Sequence, residues 1–207
     1  MNKLQQLYNA SPDPLSFARG YLRYVGELLT KVDPAAVASF IEILLCARER
    51  GSNIFFIGNG GSAATASHFA NDIAIGSKSW RKPFRALSLT DNVAVLTAIA
   101  NDDGYEEIFV QQLRVHMVPG DVVVAISASG NSPNVVRAIE YAKVNGGTTV
   151  AVTGFDGGKL KTSSNVHVHV PTAHGEYGPV EDIHILLDHL VTAFLNQLGH
   201  SEAGIKS

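Results

Sequence analysis

The chain has 207 residues, of which 45% are hydrophobic and 17% charged, and its formal net charge at pH 7 is -3. This is the composition of an ordinary globular domain, and the small negative charge offers no electrostatic basis for binding nucleic acid or an anionic membrane. No apolar run approaches the roughly 20 residues that cross a bilayer, and the polar start of the sequence does not resemble a signal segment. We therefore expect a cytoplasmic protein without membrane or nucleic-acid partners.

The first predicted elements are two helices within residues 15–50, because apolar side chains recur there at helical spacing. Asp33 and Pro34 predict the start of the second helix. Cys46 lies in an apolar part of that helix, and we expect it to be buried and not to act as a nucleophile. As the only cysteine, it cannot form a disulfide within the chain.

Strands and helices alternate after residue 51. The predicted strands cover 53–57, 85–89, 121–126, 148–153 and 165–170, and the predicted helices cover 62–75, parts of 92–115, 133–145 and 179–198. Because the strands are continuously apolar, they indicate a parallel sheet that is covered on both faces. We expect one domain over residues 1–207, with N-terminal helices at about 15–50 and a ligand-binding α/β core at about 51–198.

A glycine turn follows the first strand. Residues 53–62 read NIFFIGNGGS, an apolar strand that runs through a glycine turn into a predicted helix. Glycine allows positive φ angles and close approach of a ligand to the backbone, and the first amides of the helix face an anion. A single turn of this kind is often only a tight connection between a strand and a helix.

A second turn of the same layout follows the strand 121–126. Residues 127–132 read SASGNS, and Pro133 is placed to open the next helix. Two such turns at the carboxyl ends of parallel strands indicate one anionic ligand in the crevice between them. Neither turn has the GxGxxG spacing or the following Gly-Lys-Ser/Thr of nucleotide loops, so we predict a phosphosugar and no nucleotide cofactor.

The chain resembles the SIS (sugar isomerase) domain family, from about Leu15 to Leu198. The motifs that carry the resemblance are GNGGS at 58–62, His68, Asn101-Asp102, SASGNS at 127–132, TGFDGG at 153–158 and His189. In order and spacing they are most similar to the bacterial phosphoheptose isomerases, which convert sedoheptulose 7-phosphate to heptose 7-phosphate for surface-glycan synthesis. The resemblance implies a flavodoxin-like three-layer αβα fold with a five-stranded parallel sheet, a homotetramer with active sites at subunit interfaces, and one Zn²⁺ per subunit.

The resemblance also implies the site residues. The family's substrate-binding positions fall on Asn59, Gly60, Gly61, Ser62, Asn101, Asp102, Ser127, Ala128, Ser129, Ser132 and Glu181. Its metal ligands fall on His68, Asp72, Glu181 and His189. Proton transfer would be shared by Asp72 and His189, and Glu181 is a further candidate base.

The chain departs from the family pattern at four positions. The family has glutamate where this chain has Asp72 and glutamine where it has Glu181. The family's aspartate falls on Gly178, and its arginine has no clear equivalent near residues 76–78. If the backbone is unmoved, the shorter Asp72 withdraws its carboxylate, a displacement that can cost about 100-fold in rate. Glu181 could compensate as a base.

Helix geometry supports one pair of the predicted metal ligands more than the other pair. His68 and Asp72 are four residues apart on one helix and can approach one ion, although such a pair is often only a surface hydrogen bond. Glu181 and His189 are separated by about 12 Å of rise if one straight helix carries both. They could share an ion only if Glu181 lies at the helix entry or if the ligands come from different subunits, and the sequence leaves both alternatives open.

Further polar residues occur near these motifs. We expect His184 to be a core or interface histidine, and His167 and His169 to form the polar side of a strand. His174, Glu176 and Tyr177 precede the last helix and could supply substrate contacts. Two alternative functions stay open: a non-catalytic SIS protein of the type that associates with the bacterial replication initiator, and a phosphosugar sensor domain.

Overall fold

The computed structural model describes residues 1–10 and 12–202, so Ser11 and residues 203–207 of the predicted domain lie outside the described residues. The N-terminal part forms α1 (Lys3–Ala10), α2 (Pro14–Leu29) and α3 (Pro34–Arg50). Asp13 and Asp33 cap the last two of these helices by accepting hydrogen bonds from backbone amides, and a proline follows each cap. The sequence pattern did not predict α1.

The rest of the chain alternates between strands and helices. In order these are β1 (Asn53–Gly58), α4 (Gly61–Asn71) continuing into a π-helix (Asp72–Gly76), β2 (Arg85–Ser88), α5 (Val93–Asp102), a 3₁₀ turn (Tyr105–Glu107), α6 (Val110–His116), β3 (Val122–Ser127), α7 (Pro133–Val144), β4 (Thr148–Thr153), α8 (Leu160–Ser163), β5 (Val166–His169) and α9 (Tyr177–Glu202). Within the described residues, none of these helices is both long and apolar enough to cross a membrane.

The five strands form one parallel sheet with the order β2-β1-β3-β4-β5. This is the flavodoxin-like order: β2 is added on one side of β1, and β3 and the later strands are added on the other side, so the strand order reverses between β1 and β3. The switch brings the ends of those two strands side by side, with Gly58 of β1 paired to Ile126 of β3. The predicted α/β fold is therefore confirmed, and both glycine-serine turns lie at the same edge of the sheet.

Alternating strand residues supply two cores, one on each face of the sheet. Ile54 and Phe56 of β1 pack on the face that α3, α4 and α9 cover, whereas Phe55 and Ile57 pack on the face covered by α6 and α7. Burial on both faces explains why the strands read as continuous apolar runs. The sheet is thus a rigid support for the turns at its carboxyl edge.

Helices α4 and α9 run side by side in the same direction. An added Cβ on Gly61 would meet the Glu181 carboxylate, His68 lies beside Asp188, and the Gly76 carbonyl accepts a hydrogen bond from Asn196. Each of these pairs is separated by 120 residues in the sequence, so the two helices keep one register along their whole contact. We call this contact the α4/α9 seam.

Two details differ from the sequence-based expectations. Helix α9 begins at Tyr177 and continues to Glu202, beyond both ends of the predicted 179–198. Cys46 lies on α3 as predicted, but the expectation that it is buried was wrong, because its side chain is exposed. Phe40, Leu44 and Ala47 form the inward face of that helix, and Cys46 follows Leu44 by about 200° of rotation.

Candidate functional site

The two turns line one pocket at the carboxyl edge of the sheet. Its volume is about 140 Å³, which suits a phosphate-sized group, and the opening leads to solvent. The residues that line it come from both turns and from α9: Asn59, Ser62, Ile126, Ser127, Ala128, Ser129, Ser132, Tyr177 and Glu181. The structure thus brings together six of the predicted substrate-binding residues of the turns, and we call this cavity the cradle.

The N-terminal ends of α4 and α7 lie at the cradle, which is lined by Ser62 of α4 and by Ser132, the residue before α7. Neither helix has a hydrogen bond from an N-cap side chain, although the Asn134 side chain accepts from the Val135 amide within the first turn of α7. Gly60 has a φ of +54°, a conformation that a residue with a side chain adopts only with strain. Among the residues that the structure describes, no lysine or arginine lines the cavity. Helix N-termini and serine hydroxyls are therefore the groups that an anion would meet.

Glu181 lies at the cradle end of the α4/α9 seam. Its carboxylate is packed so closely over Gly61 that a Cβ at position 61 would come within 2.3 Å of Oε2. Burial raises the pKa of Glu181, and the neighbouring Asp182 carboxylate raises it further. The negative charge of the Glu181 carboxylate would repel a phosphate. We therefore expect Glu181 to contact the hydroxyl groups of the sugar and not the phosphate.

A second group of ligand-type side chains lies further along the same seam. Among the described residues, the ligand atoms of His68, Asp72, Asp188 and His189 all fall within 4.8 Å of one another. His68 Nε2 is 3.4 Å from Asp72 Oδ2 and 3.8 Å from Asp188 Oδ2, and the rings of His68 and His189 meet edge to face at 5.2 Å. We call these four residues the seam cluster. Glu181 is not among them.

A π-helix follows the part of α4 that carries His68 and begins at Asp72. The regular hydrogen bonding of α4 ends at Asn71, and the wider π-turns begin at Asp72 itself. Short π-turns of this kind inside α-helices are frequent at functional sites. The Asp72 backbone N–H still bonds to His68, so the two side chains remain adjacent.

Asp188 gives the cluster a feature that a cation would explain. Its side chain is fully buried, Oδ1 accepts a hydrogen bond from Thr192, and Oδ2 has no hydrogen-bond partner. Burial raises the pKa of Asp188 to about 7, and the Asp72 carboxylate adds to the rise. Two imidazole nitrogens and two carboxylate oxygens around one point are a donor set that zinc accepts. The residues present therefore fit a metal ion.

The remaining predicted residues lie elsewhere. Asn101 and Asp102 are exposed at the end of α5, bond to each other and do not line the cradle. Burial lowers the pKa of His184 to about 4; neither ring nitrogen makes a well-formed hydrogen bond, although the Thr153 backbone lies close enough to oppose the shift. That environment agrees with a core histidine.

His167 and His169 make more contacts than residues on the polar face of a strand usually make. His167 and His169 stack on each other, and both rings lie within hydrogen-bond distance of the Thr153 hydroxyl. Burial is the main reason why the pKa of His167 falls to about 4. Both histidines therefore remain neutral near pH 7, and neither lines the cradle.

His174, Glu176 and Tyr177, at the start of α9 and just before it, have three different environments. Tyr177 lines the cradle. Glu176 is fully buried on the other side, where it accepts hydrogen bonds from the Tyr24 hydroxyl and from the backbone amides of Lys3 and Ala173. His174 packs against Phe155 with ring centroids 5.0 Å apart. Glu176 thus ties the N-terminal helices to the segment directly before α9, whose first residue is Tyr177.

Sequence reasoning missed three polar residues of this region. Asp188 had a signal, because a charged residue in an otherwise apolar helix segment needs a partner. Asn134, which is buried and bonds to Asn59, and Tyr105, whose hydroxyl donates to Asn59 Oδ1 at 2.9 Å, had none. Their contacts depend on how three loops meet in space.

This chain is similar to known proteins in both sequence and fold. The family model for the SIS domain matches residues 20–154. A phosphoheptose isomerase of Trichlorobacter lovleyi is 41% identical over 157 residues, which cover 74% of this chain and 80% of that protein. Solved phosphoheptose isomerase structures from Francisella tularensis (26% identity, TM-score 0.79, 89% of this chain and 99% of that chain) and Neisseria gonorrhoeae (31%, 0.73, 94% and 99%) share the fold. This chain belongs to the SIS domain family and, within it, to the phosphoheptose isomerases.

Proposed function

We propose that this protein is a metal-dependent aldose-ketose isomerase that interconverts sedoheptulose 7-phosphate and the corresponding aldoheptose 7-phosphate. The observation that carries the proposal is the placement of a phosphate-sized cradle and a histidine-carboxylate cluster on one seam. His68 follows Gly61 by seven residues, which is two helical turns, or about 10 Å of rise on the same face of α4. A substrate with its phosphate at one end and its carbonyl several carbons away fits that separation.

The cradle supports a phosphate monoester as the anchoring group. The hydroxyls of Ser62, Ser129 and Ser132 line the pocket, and Ser62 lies in the first turn of α4, whose first amides would face the phosphate. The turns that carry them are anchored by β1 and β3 on one side and by α4 and α7 on the other, which would limit reorganisation when the phosphate binds. The turns thereby fix the distance between the phosphate and the reacting carbons.

Isomerisation moves a proton between neighbouring carbons. It needs a base that removes the proton next to the carbonyl and a group that returns it, and we propose Asp72 and His189 for these tasks, with Glu181 as a further acid-base candidate at the cradle. His68, Asp72 and His189 would hold Zn²⁺. The ion would supply Lewis-acid polarisation of the substrate oxygens.

The relatives support this reading over a non-catalytic one. Curated proteins that align over about three quarters of the chain are named phosphoheptose isomerases. A binding protein of the replication-initiator type or a sensor would have no chemical need for four ligand-type side chains converging on one point. We therefore place the protein among the enzymes.

Two further parts of the proposal concern assembly and location. A groove of apolar residues between α3 and α9 leaves Leu190 and Phe194 about half exposed. Exposed apolar surface of this kind is typical of subunit contacts, and it supports the homotetramer that we propose. We also propose that the protein acts in the cytoplasm, where sugar phosphates are made.

The test is ¹H NMR of the purified protein with sedoheptulose 7-phosphate in D₂O, beside fructose 6-phosphate and ribulose 5-phosphate. We expect aldoheptose phosphate to accumulate, with deuterium entering the carbon next to the carbonyl, and slower conversion of the shorter sugars. Absence of both conversion and deuterium exchange, with zinc supplied, would contradict the proposal.

A further inference from the structure

The fourth ligand of the metal site is where this structure differs from the set that the family resemblance implies. That set joins Glu181 to His68, Asp72 and His189. In the structure the carboxylate that meets these three residues is Asp188. The two candidates are alternatives for one position, and the geometry of α9 separates them.

Helix α9 is continuous from Tyr177 to Glu202, so Glu181 does not lie in a loop that could fold back on the cluster. Asp188 follows Glu181 by seven residues, about 10 Å of rise on one face of the helix. The α4/α9 seam gives the same separation from the other side, since Glu181 contacts Gly61 and Asp188 faces His68. A glutamate side chain does not span that distance to the seam cluster.

Asp188 has the opposite properties. It is fully buried, its Oδ2 lacks a hydrogen-bond partner, and that oxygen lies 3.8 Å from His68 Nε2. A buried carboxylate oxygen is unfavourable unless a proton, a hydrogen bond or a cation satisfies it. The other oxygen is oriented by Thr192, as metal-ligating carboxylates usually are oriented by an outer partner.

We propose that Asp188, and not Glu181, completes a divalent-metal site with His68, Asp72 and His189, and that Glu181 belongs to the cradle, where it contacts the bound sugar. This inference rests on the proposed function, because it assigns the metal and the phosphosugar to two ends of one seam. Its ligand set of two histidines and two aspartates is closed within one chain and needs no residue from another subunit.

The experiment titrates Zn²⁺ into chelator-treated full-length protein by calorimetry and records the visible spectrum of the Co²⁺-loaded protein. The variants are Asp188→Asn, Glu181→Gln and, as a matched control, Asp182→Asn. Asp182 lies on the same helix as the other two residues, and its exposed carboxylate accepts a hydrogen bond from Tyr21 of α2. We expect Asp188→Asn to weaken zinc binding at least as much as the roughly 10- to 100-fold seen for outer-shell partners. Glu181→Gln and Asp182→Asn should bind as the wild type does.

The Co²⁺ spectrum keeps the test decisive if Asp188→Asn does not fold. In that case the Glu181→Gln protein, which retains Asp188, must show unchanged cobalt bands if Glu181 is not a ligand. Altered bands or weakened zinc binding in Glu181→Gln would overturn the assignment, as would unchanged affinity in a folded Asp188→Asn protein.

The same measurements separate this inference from the proposed function. Wild-type protein that binds one zinc ion through Asp188 but converts no sugar phosphate would leave the metal site standing and remove the isomerase. Wild-type protein that isomerises sedoheptulose 7-phosphate after chelation and binds no divalent metal would remove the metal site and leave an isomerase that does not depend on a metal.

Discussion

Asn59 and Asn134 exchange a reciprocal pair of side-chain hydrogen bonds across the cradle. Asn59 Nδ2 donates to Asn134 Oδ1 at 2.9 Å, and Asn134 Nδ2 donates to Asn59 Oδ1 at 2.8 Å. The first residue follows β1 and the second lies in the first turn of α7, so the pair ties the two phosphate-binding turns together. The geometry of the cradle therefore depends on a residue that does not line it.

Replacing Asn134 with alanine should weaken phosphosugar binding. The change leaves the Asn59 amide without its partner and frees the two turns to move apart, at a cost of about 1–3 kcal/mol. Calorimetry with a non-reactive sugar phosphate measures the effect. Asn145→Ala, on an exposed asparagine at the end of α7, serves as the control; equal affinities for the two variants would contradict the coupling.

Removing two cradle hydroxyls in the double variant Ser129→Ala and Ser132→Ala should lower ligand affinity while leaving the melting temperature nearly unchanged. Neither side chain fills the core, and each hydrogen bond to a charged phosphate contributes about 1.5–3 kcal/mol. The same calorimetric titration is the measurement. Ser201→Ala, near the end of α9, is the control, and unaltered affinity in the double variant would remove the phosphate assignment.

Acid should destabilise the protein through its buried histidines. The pKa of His184 is lowered to about 4 from the usual 6.5 because burial disfavours the charged ring. Between those values the unfolded chain binds a proton that the folded protein does not. The free energy of unfolding is therefore not reduced by His184 above about pH 6.5. It falls as the pH drops toward 4, by at most about 1.4 kcal/mol per pH unit for this group.

Urea unfolding at several pH values measures that slope. In His184→Gln the part of the slope between pH 6.5 and 4 that belongs to His184 should disappear, while the part due to His167, whose pKa is also lowered to about 4, should remain. A variant with the wild-type slope would show that His184 titrates normally in the folded protein.

A charge in the apolar groove should break the assembly. Phe194→Glu places a carboxylate where half of an aromatic ring is exposed beside Leu190, and burying it at a subunit contact would be costly. Light scattering should show a smaller species than for the wild type. Val144→Glu, on a more exposed apolar residue outside the groove, should leave the mass unchanged; a wild-type monomer at micromolar concentration would contradict the tetramer.

How far the sequence predicted this structure depends on the range of each interaction. The strands and the two turns follow from local patterns, since continuous apolar runs mean burial on both faces and glycine before a helix means an exposed amide. The pairing of Glu181 with Gly61 and of Asp188 with His68 does not. It depends on the register between two helices that are far apart in the sequence and packed together in the fold, and a shift of one residue would change every contact between them.

Prediction of the metal ligands illustrates the same limit. His68 and Asp72 are neighbours on one helix, so their spacing indicated a site. Asp188 lies beside His189 in the sequence, where adjacent helical residues point about 100° apart and do not suggest a shared ligand. Only the packing of α9 against α4 places Asp188 and His189 around one point with His68 and Asp72.

The 120-residue offset along the α4/α9 seam has a consequence for how the protein becomes active. The SIS match ends at residue 154, yet Glu181, Asp188 and His189 all lie beyond it. The cradle is closed and the cluster complete only after the C-terminal helix has docked, one of the longest-range contacts in the chain. A chain that ends before α9 contains all five strands but lacks Glu181, Asp188 and His189 and the side chains that α9 buries in the core, so the proposed catalytic and metal-binding groups come together only when this helix has docked.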